Sequence, residues 1–325
     1  MKLLVTGAAG FIGSHYVRTM PAGGYPGWDD CRVTVLDRPG HGSNRANLPA
    51  GHPRPESVRG DVRDLPLLPG LLPGHDAVVH FAAESHVDRS TDDARGFIRS
   101  DAAGTHTVPA ACHQTGAEPT VHVPADEVYG CVGHGTSAKS APLPPNSPHA
   151  ASKAACDLIV RPFVRTHGLD VPLTRRSHNH GPHQDVEKLI PLSVTNLMEG
   201  VPVPLYGDGR NVREWLHADD HCRAIQPVPT RGPAGEIYNV GGGNAFTDNE
   251  ITRMLPGLSG AGEPMVRHVA DRPGHGLRYA TDETKIRAEL GHRPPVPFGQ
   301  GLAGTYAWYR DHPDWWKPLK QDVMR

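Results

Sequence analysis

The sequence lacks the paired cysteines and long hydrophobic runs that mark secreted and membrane proteins. Its five cysteines include no Cys-x-x-Cys motif and are odd in number, so we expect reduced thiols with mainly structural roles. The first apolar run meets a glycine within a few residues, which makes it too short for a secretory signal or a membrane anchor. These absences predict a cytoplasmic protein.

An excess of charge is also missing. The 325 residues have a formal net charge of −2, with 37% hydrophobic and 21% charged residues, as in ordinary soluble globular proteins. Without a basic excess, neither nucleic acid nor an anionic membrane is an expected partner. The length suits one large domain or two closely joined domains.

Histidine, in contrast, is abundant, with 21 residues. Three of them lie together in His178-Asn-His180-Gly-Pro-His183. A zinc site is conceivable there because two histidines are one residue apart, but no matching Cys or Glu-x-x-His partner follows. We therefore predict solvated loop histidines and no metal site.

Apolar strand patterns alternate with glycine turns and helical patterns through the first half of the chain. This alternation predicts βαβ units and an α/β fold with a doubly wound, parallel, Rossmann-like sheet. The predicted strands cover residues 2–6, 32–36, 77–81, 120–123, 171–174 and 235–240, and a further strand-like stretch precedes Asp61.

A glycine motif, Gly7-Ala-Ala-Gly10-Phe-Ile-Gly13, directly follows the first predicted strand and opens a predicted helix. In that context Gly7 permits a tight turn, Gly10 lets the backbone approach a pyrophosphate, and Gly13 lets helix and strand pack closely. The helix N-terminus then presents free N–H groups and a positive dipole end to the phosphates. The motif predicts a dinucleotide site.

Asp37 ends the second predicted strand, about twenty residues beyond the glycines. A carboxylate there accepts hydrogen bonds from the ribose hydroxyls of NAD and repels the extra phosphate of NADP, although a turn or cap role is an alternative. Asp61 is placed to meet the adenine edge, and a turn role is nearly as good an interpretation. The predicted cofactor is NAD.

Proline and glycine become denser after about residue 181, which breaks the regular βα alternation. We predict a cofactor domain over 1–182 plus about 215–243. A smaller C-terminal substrate lobe would cover about 183–214 plus 244–325, with the site in the crevice between them. The aromatic tail around Trp315 and Trp316 is expected to pack.

Longer motifs extend from the first residues to about residue 310. They are the glycine motif, the string from His80 to Ser90, Asp126-Glu127-Val-Tyr-Gly, Glu187-Lys-Leu-Ile-Pro-Leu192, Asn211-Val-Arg-Glu-Trp215 and Arg272-Pro-Gly-His275. With them, the chain resembles extended short-chain dehydrogenases/reductases, and most of all the dTDP-glucose 4,6-dehydratases.

The resemblance implies tightly held NAD, hydride removal from sugar carbon 4, loss of water across carbons 5 and 6, and hydride return at carbon 6. It assigns Asp126 as the acid and Glu127 as the base of the elimination. It also implies that Lys153 holds the nicotinamide ribose. A homodimer is expected through helices near residues 105–115 and 149–165.

The resemblance also implies two sets of ligand contacts. The NAD contacts are Gly7, Gly10, Phe11, Ile12, Gly13, Asp37, Asp61, Val62, Ala82, Ala83, Lys153 and Asn179. The contacts to a dTDP-hexose are Ser85, His178, Lys188, Leu189, Pro204, Tyr206, Arg213, Asn239 and His275.

The sequence departs from the family pattern where the chemistry is most demanding. Six positions differ from the usual residues: Asp101 and His178 replace asparagines, Pro124 a serine, Ala125 a hydroxyl residue, His149 the tyrosine of Tyr-x-x-x-Lys, and Gly276 an aspartate.

Two interpretations of these changes remain open. In one, His149 replaces the tyrosine as base, and the nearby Lys153 ammonium keeps its imidazole neutral. In the other, the chain is an impaired paralogue that binds NAD and a sugar nucleotide with little turnover. A sugar-nucleotide epimerase or decarboxylase on the same fold is a further alternative, against which the Asp126-Glu127 pair argues.

Overall fold

The computed structural model describes residues 1–20, 23–25, 30–49, 55–117, 120–259 and 266–323. The strands are β1 (Lys2–Thr6), β2 (Arg32–Asp37), β3 (Glu56–Arg59), β4 (Ala77–His80), β5 (Thr120–His122), β6 (Leu173–Arg176), β7 (His178–His180), β8 (Val203–Tyr206), β9 (Val212–His217), β10 (Ile237–Val240), β11 (Asn244–Thr247), β12 (Val266–Val269) and β13 (Arg278–Tyr279).

Helices connect these strands. They are α1 (Phe11–Thr19), α2 (Leu67–Leu71), α3 (Val87–Asp92), α4 (Ala94–Phe97), α5 (Gly104–Thr115), α6 (Pro148–His167), α7 (Leu189–Glu199), α8 (Ala218–Ile225), α9 (Val228–Arg231), α10 (Asp248–Met254), α11 (Pro256–Ser259), α12 (Thr284–Leu290), α13 (Phe298–Asp311) and α14 (Pro313–Val323). A π-helical segment spans Ile98–Ala103, and 3₁₀ turns span Arg45–Asn47 and Asp126–Tyr129.

Strands from residues 2 to 240 build a seven-stranded parallel sheet in the order β10-β6-β5-β4-β1-β2-β3. Leu3, Leu4 and Val5 of β1 are fully buried, as expected for a strand covered on both faces by crossover helices. The order reverses between β1 and β4, and ligands of such sheets bind at the carboxyl edge beside that point. The predicted fold class is confirmed.

A smaller layer collects the remaining described strands, all of which follow β6 in the chain. β9 pairs with β11 antiparallel and with β7 and β13 parallel, while β8 pairs with β12. Its core packs α7 and α13 around the ring of Trp215. The domain boundaries proposed from the sequence stay a prediction.

The aromatic tail packs as expected. Trp316 is 3% exposed, and its indole N–H donates to the carbonyl of Tyr309. Trp315 donates to the side chain of Asn47, 2.9 Å away, close to the glycine turn. The tail therefore ties α14 to the first βα unit.

Two further structural findings concern the cysteines and the membrane. None of the five cysteines, all of them within the described residues, forms a disulfide, and Cys131 is the exposed one. Among the described residues, none of the helices has the length and apolar character that a bilayer crossing requires.

Candidate active site

The glycine turn after β1 requires residues without side chains. Gly7 has a φ of +67°, and a Cβ there would lie 2.5 Å from the backbone nitrogen of Ala82. A Cβ on Gly13 would lie 2.4 Å from the carbonyl oxygen of Gly7. Both contacts are shorter than real Cβ contacts permit, so the turn excludes larger residues.

The turn opens α1 with its N-terminus free of a side-chain cap. Gly10 is the N-cap residue and supplies no capping hydrogen bond. Phe11 begins the helix, and Ile12 packs partly buried against the main core. The uncapped N–H groups and the helix dipole make this a site that fits a diphosphate.

Asp37 lies directly beside that turn. Its carboxylate accepts hydrogen bonds from the Ala9 N–H at 2.7 Å and from the Ser43 hydroxyl at 2.9 Å. Burial raises its pKa, against the hydrogen bonds that lower it. The turn-cap role that the sequence left open is therefore present, and the ribose contact stays a prediction.

The residues predicted to meet adenine and the nicotinamide side lie around the same edge. Asp61 is paired with Arg63 at 2.6 Å and with Arg38 at 3.5 Å, and the Arg63 hydrogen bond lowers its pKa. Val62 is buried. Ala82 forms the surface against which Gly7 packs, and Ala83 is exposed.

The acid pair lies in the 3₁₀ turn that follows β5. Asp126 and Glu127 are 2% and 9% exposed, and neither carboxylate oxygen of Asp126 has a hydrogen-bond partner among the described residues. Burial, Glu127 and the nearby Glu214 raise the pKa of Asp126 well above its usual value. Burial opposes ionisation of Glu127 too, but His149, His178 and two arginines hold its pKa below the usual range.

The pKa values of the two carboxyl groups thus move in opposite directions, upward for Asp126 and downward for Glu127. A protonated acid beside an ionised base is what elimination of water from a sugar requires. Sequence could predict the pair but not the split, because Glu214 and the histidines come from other parts of the chain.

His178 stands between the two carboxyl groups. Its Nδ1 lies 3.9 Å from Asp126 Oδ1, and its Nε2 lies 3.6 Å from Glu127 Oε1. The ring stacks on Tyr279, with ring centroids 6.2 Å apart. Burial lowers the pKa of His178 to about 3, so the imidazole is neutral near pH 7.

The histidine cluster is not a solvated loop, so that prediction was wrong. His180 is 1% exposed in β7, where its ring packs against Trp215 and Phe298. Burial lowers its pKa to about 3. His178 and His180 belong to strand β7, which pairs with β9. This pairing forms the strand although glycine and proline follow it directly.

Among the described residues, one group of three metal-ligating side chains converges, formed by Asp126, Glu127 and His178. Arg176 and Arg213 act electrostatically on both carboxyl groups. Their positive charge disfavours a cation at this point. The absence of a metal site stays a prediction.

His149 lies in the first turn of α6, which Ser147 caps. Its side chain is 3% exposed, and Nδ1 has no hydrogen-bond partner among the described residues. Burial lowers its pKa to about 4, Glu127 raises it, and Lys153 lowers it. The predicted direction agrees with the structure, but burial, rather than Lys153, is the largest cause.

Lys153 lies one turn further along α6 and is 5% exposed. Its ammonium donates to the carbonyl of Glu84 at 2.7 Å and pairs with Asp101 at 2.8 Å. Ala125 is also buried, directly before the acid pair. No hydroxyl stands at position 125, so a substrate oxygen near His149 lacks that donor.

A positive surface faces the acid pair from the smaller layer. Arg213 lies over the ring of Tyr279, 4.7 Å from its centroid, and is 4% exposed. Arg272 pairs with Asp88 at 2.7 Å. The cavity between these groups and Glu127 is also lined by His178 and His275, and guanidinium groups there suit a diphosphate.

The predicted substrate contacts Tyr206, Lys188 and Ser85 make hydrogen bonds within the protein. Tyr206 donates to Asp88 at 2.7 Å, and its ring meets that of His275 edge to face. Lys188 donates to the carbonyl of the exposed Ser85 at 2.7 Å. The remaining two are Leu189, the first residue of α7, and Pro204 in β8.

Two predicted contacts have side chains already engaged in the protein. Asn179 donates to Ser177 and contacts His221 at 2.8 Å. Asn239 accepts from Tyr129, and its amide nitrogen donates to the carbonyls of Ser137 and Asp282. Their ligand roles stay predictions.

Sequence reasoning missed several residues that complete the site. Arg272, Asp88 and Glu214 each lie within a motif that carried the resemblance, so the motifs could have indicated them. Tyr279 had no such signal. A side chain at Gly276 would overlap its hydroxyl, with a Cβ 2.1 Å away, so the glycine leaves room for the ring that stacks on His178.

The fold agrees with what comparison with known proteins finds. A family model described as the NAD dependent epimerase/dehydratase family matches residues 3–241. The chain belongs to that family of nucleotide-sugar enzymes.

Within the family, relatives that match along nearly the whole chain include dTDP-glucose 4,6-dehydratases. The protein of that name from Streptomyces niveus is 50% identical over 98% of this chain and 96% of its own length. That from Mycobacterium tuberculosis H37Rv is 40% identical over 98% of this chain and 96% of its own length. The resemblance stated from the motifs is confirmed.

Solved structures agree. DesIV, a dTDP-glucose 4,6-dehydratase from Streptomyces venezuelae crystallised with NAD and TYD, superposes with a TM-score of 0.96 at 54% identity, covering 98% of this chain and 100% of that chain. A UDP-glucose 4-epimerase from Thermus thermophilus, crystallised with NAD, has a TM-score of 0.87 at 30% identity, covering 95% and 99%.

Proposed function

We propose that this protein is an NAD-dependent nucleotide-sugar 4,6-dehydratase that converts dTDP-glucose to dTDP-4-keto-6-deoxyglucose. The single observation that carries the proposal is the buried acid pair beside the predicted cofactor edge, in which the pKa of Asp126 is raised and that of Glu127 is lowered. The names of the relatives supply the substrate class and the cofactor.

The residues at the carboxyl edge of the sheet fit NAD. The glycine turn leaves no room for a Cβ on Gly7 or Gly13, and the N-terminus of α1 carries no side-chain cap. Asp37 lies beside the turn, and Lys153 lies across the edge on α6. NAD held there would supply the hydride acceptor that oxidation at sugar carbon 4 needs and the hydride donor that reduction at carbon 6 needs.

The chain's own residues carry the proton transfers. His149 takes the proton of the 4-hydroxyl as that carbon is oxidised to a ketone. Glu127 removes the proton at carbon 5, which the new ketone makes acidic, and Asp126 donates a proton to the departing 6-hydroxyl, which leaves as water. Glu127 returns its proton to carbon 5 as hydride reaches carbon 6, and the proton held by His149 balances the one that Asp126 gave up. Arg213 and Lys188 hold the diphosphate, and burial of the acid pair keeps bulk water away.

The cavity itself is built for a sugar nucleotide rather than a sugar alone. Its guanidinium groups would face the diphosphate, while Glu127 and the neutral His178 would face the hexose. We further propose a dTDP-hexose as partner, a homodimer through α5 and α6, and a cytoplasmic location.

A specific observation also supports the impaired paralogue as a second candidate. The His149 pKa of about 4 makes it a weak proton acceptor, and Ala125 supplies no hydroxyl to the same substrate oxygen. Under this alternative the protein binds NAD and dTDP-glucose but forms product slowly or not at all.

The test is to incubate the purified protein with dTDP-glucose and NAD and to follow the 4-keto-6-deoxy product, beside the His149→Tyr variant. Product from the wild-type protein supports the dehydratase, and its loss in the variant makes His149 the working base. Bound NAD and dTDP-glucose without product, with activity gained in the variant, supports the impaired paralogue instead. Failure to bind either ligand overturns both.

A further inference from the structure

The lysine that faces the nicotinamide edge is paired with a buried carboxylate. Asp101 lies on the π-helical segment and is 1% exposed. Its Oδ2 lies 2.8 Å from Lys153 Nζ and accepts from the Ser152 hydroxyl at 2.7 Å. Its Oδ1 accepts from the Glu84 N–H at 2.8 Å.

This environment is specific for a carboxylate. All three neighbours are donors, and an ionised carboxylate can accept from every one of them. An asparagine offers a single acceptor oxygen, so its NH₂ group would face either the Glu84 N–H or Lys153. Asp101 is therefore held as an anion that cancels the charge of Lys153.

The sign of that charge matters for the residue that acts as base. A tyrosine base works as a phenolate, and a bare lysine cation stabilises it. A histidine base works as neutral imidazole and becomes a cation when it takes the proton, so the same lysine opposes proton transfer. With histidine at position 149 and an uncompensated Lys153, proton transfer would place two positive charges close together.

We propose that Asp101 is a positioning residue that neutralises and orients Lys153, so that His149 can hold the proton taken from the sugar. The inference rests on the proposed function, in which His149 is the base. Asp101 and His149 are then a matched pair of departures from the family pattern, the first compensating for the second.

The charged surroundings of His149 agree with this arrangement. Four charged groups act on it: Glu127, Lys153, Asp101 and Lys188. The two carboxylates raise the pKa of the imidazole, and the two ammonium groups lower it. Without Asp101, one carboxylate would stand against two ammonium groups in a buried site.

A cycle of four proteins tests the proposal: the wild type, Asp101→Asn, His149→Tyr, and the double variant. We expect Asp101→Asn to slow product formation at least about tenfold when histidine is the base. In the His149→Tyr background the same substitution should raise product formation. If Asp101 has a purely structural role, Asp101→Asn slows product formation in both backgrounds, and that result overturns the proposal.

A second measurement does not depend on turnover. The ultraviolet absorbance of phenolate in the two proteins that carry His149→Tyr reports the pKa of the added phenol, with the wild type as the blank for the native tyrosines. Asp101→Asn should lower that pKa by about one unit, since it leaves Lys153 uncompensated. An unchanged phenol pKa refutes the proposal, even if the wild type forms no product and the proposed function fails.

Asp157→Asn is the matched control. Asp157 is a buried aspartate on α6, paired with Arg175 at 2.6 Å, so its substitution reproduces the loss of a buried ion pair away from Lys153. Asp157→Asn should change the rate of product formation in the same direction with histidine and with tyrosine at position 149. If Asp101→Asn does not fold, Asp101→Ser takes its place in the same cycle. Serine keeps a hydrogen-bond acceptor at position 101 but has no negative charge.

Discussion

The glycine turn and the catalytic centre lie at the same edge of one sheet but depart from the family pattern to very different degrees. At the turn, Gly7, Gly10, Gly13 and Asp37 all match, and steric contacts of 2.4 Å and 2.5 Å show why Gly13 and Gly7 do. At the catalytic centre, the usual tyrosine is replaced by His149. A turn that binds a ligand through its backbone tolerates few substitutions. A proton-transfer step, in contrast, can be carried out by a different side chain.

The glycine turn and the catalytic centre also differ in how far apart in sequence their residues lie. The turn depends on residues adjacent in sequence, and its geometry follows from their small size. The catalytic centre depends on residues from β5, α6, β7 and β9, and its properties follow from mutual burial and charge. Substitutions in the two regions should therefore have distinct effects.

The largest expected effect is at the acid pair. Glu127→Gln removes the base for carbon 5 and should reduce product formation about a thousandfold, while binding of dTDP-glucose changes little. Product formation and calorimetric binding measure the two effects. The control is Asp208→Asn, whose side chain is 66% exposed, and it should be active. Equal loss of binding and turnover would mean that Glu127 holds the substrate rather than reacts with it.

Next comes the glycine turn. Gly13→Val forces a side chain against the Gly7 carbonyl and should weaken NAD binding about a hundredfold, equivalent to about 2.8 kcal/mol. Fluorescence titration with NAD measures it. Gly299→Ala is the control, because a Cβ there meets nothing within 4 Å and alanine favours a helix. Unchanged NAD binding in Gly13→Val would show that the turn does not hold the dinucleotide.

A smaller effect is expected at the diphosphate surface. Arg213→Lys keeps the charge but loses the planar guanidinium that binds two oxygens and lies over Tyr279, so binding of dTDP should weaken about tenfold. Arg210→Lys, at a side chain that is 79% exposed, provides the control. If both variants bind dTDP equally well, the diphosphate lies elsewhere.

The smallest effect concerns pH and stability. His180 is buried as the neutral form with a pKa of about 3, below the unfolded value, so its contribution is complete above about pH 6.5 and is lost as pH falls toward 3. His180→Phe should remove up to about 1.4 kcal/mol per pH unit from the slope of unfolding free energy between these limits. Denaturant unfolding at several pH values measures the slope.

The exposed His134 provides the comparison for that experiment. His134→Gln should leave the slope of stability against pH nearly unchanged. A slope in His180→Phe equal to that of the wild type would mean that His180 takes up no extra proton on unfolding.

Much of the fold was predictable because its signals are local. Alternation of apolar runs with glycine turns located six strands of the main sheet, and the resemblance located the acid pair. The prediction of solvated histidines failed at His180 because a three-residue strand in the smaller layer depends on its partner β9, which lies more than thirty residues away in the sequence. The spacing of the histidines does not indicate pairing with β9.

The sequence by itself determined the glycine turn, the order of strands and helices, and which residue types stand at the catalytic positions, since these depend on size and hydrophobic pattern along the chain. Only the tertiary structure decided that the pKa of Asp126 rises while that of Glu127 falls, and that Asp101 faces Lys153. Protonation depends on burial and on charges a few ångströms away, and those neighbours come from distant parts of the chain.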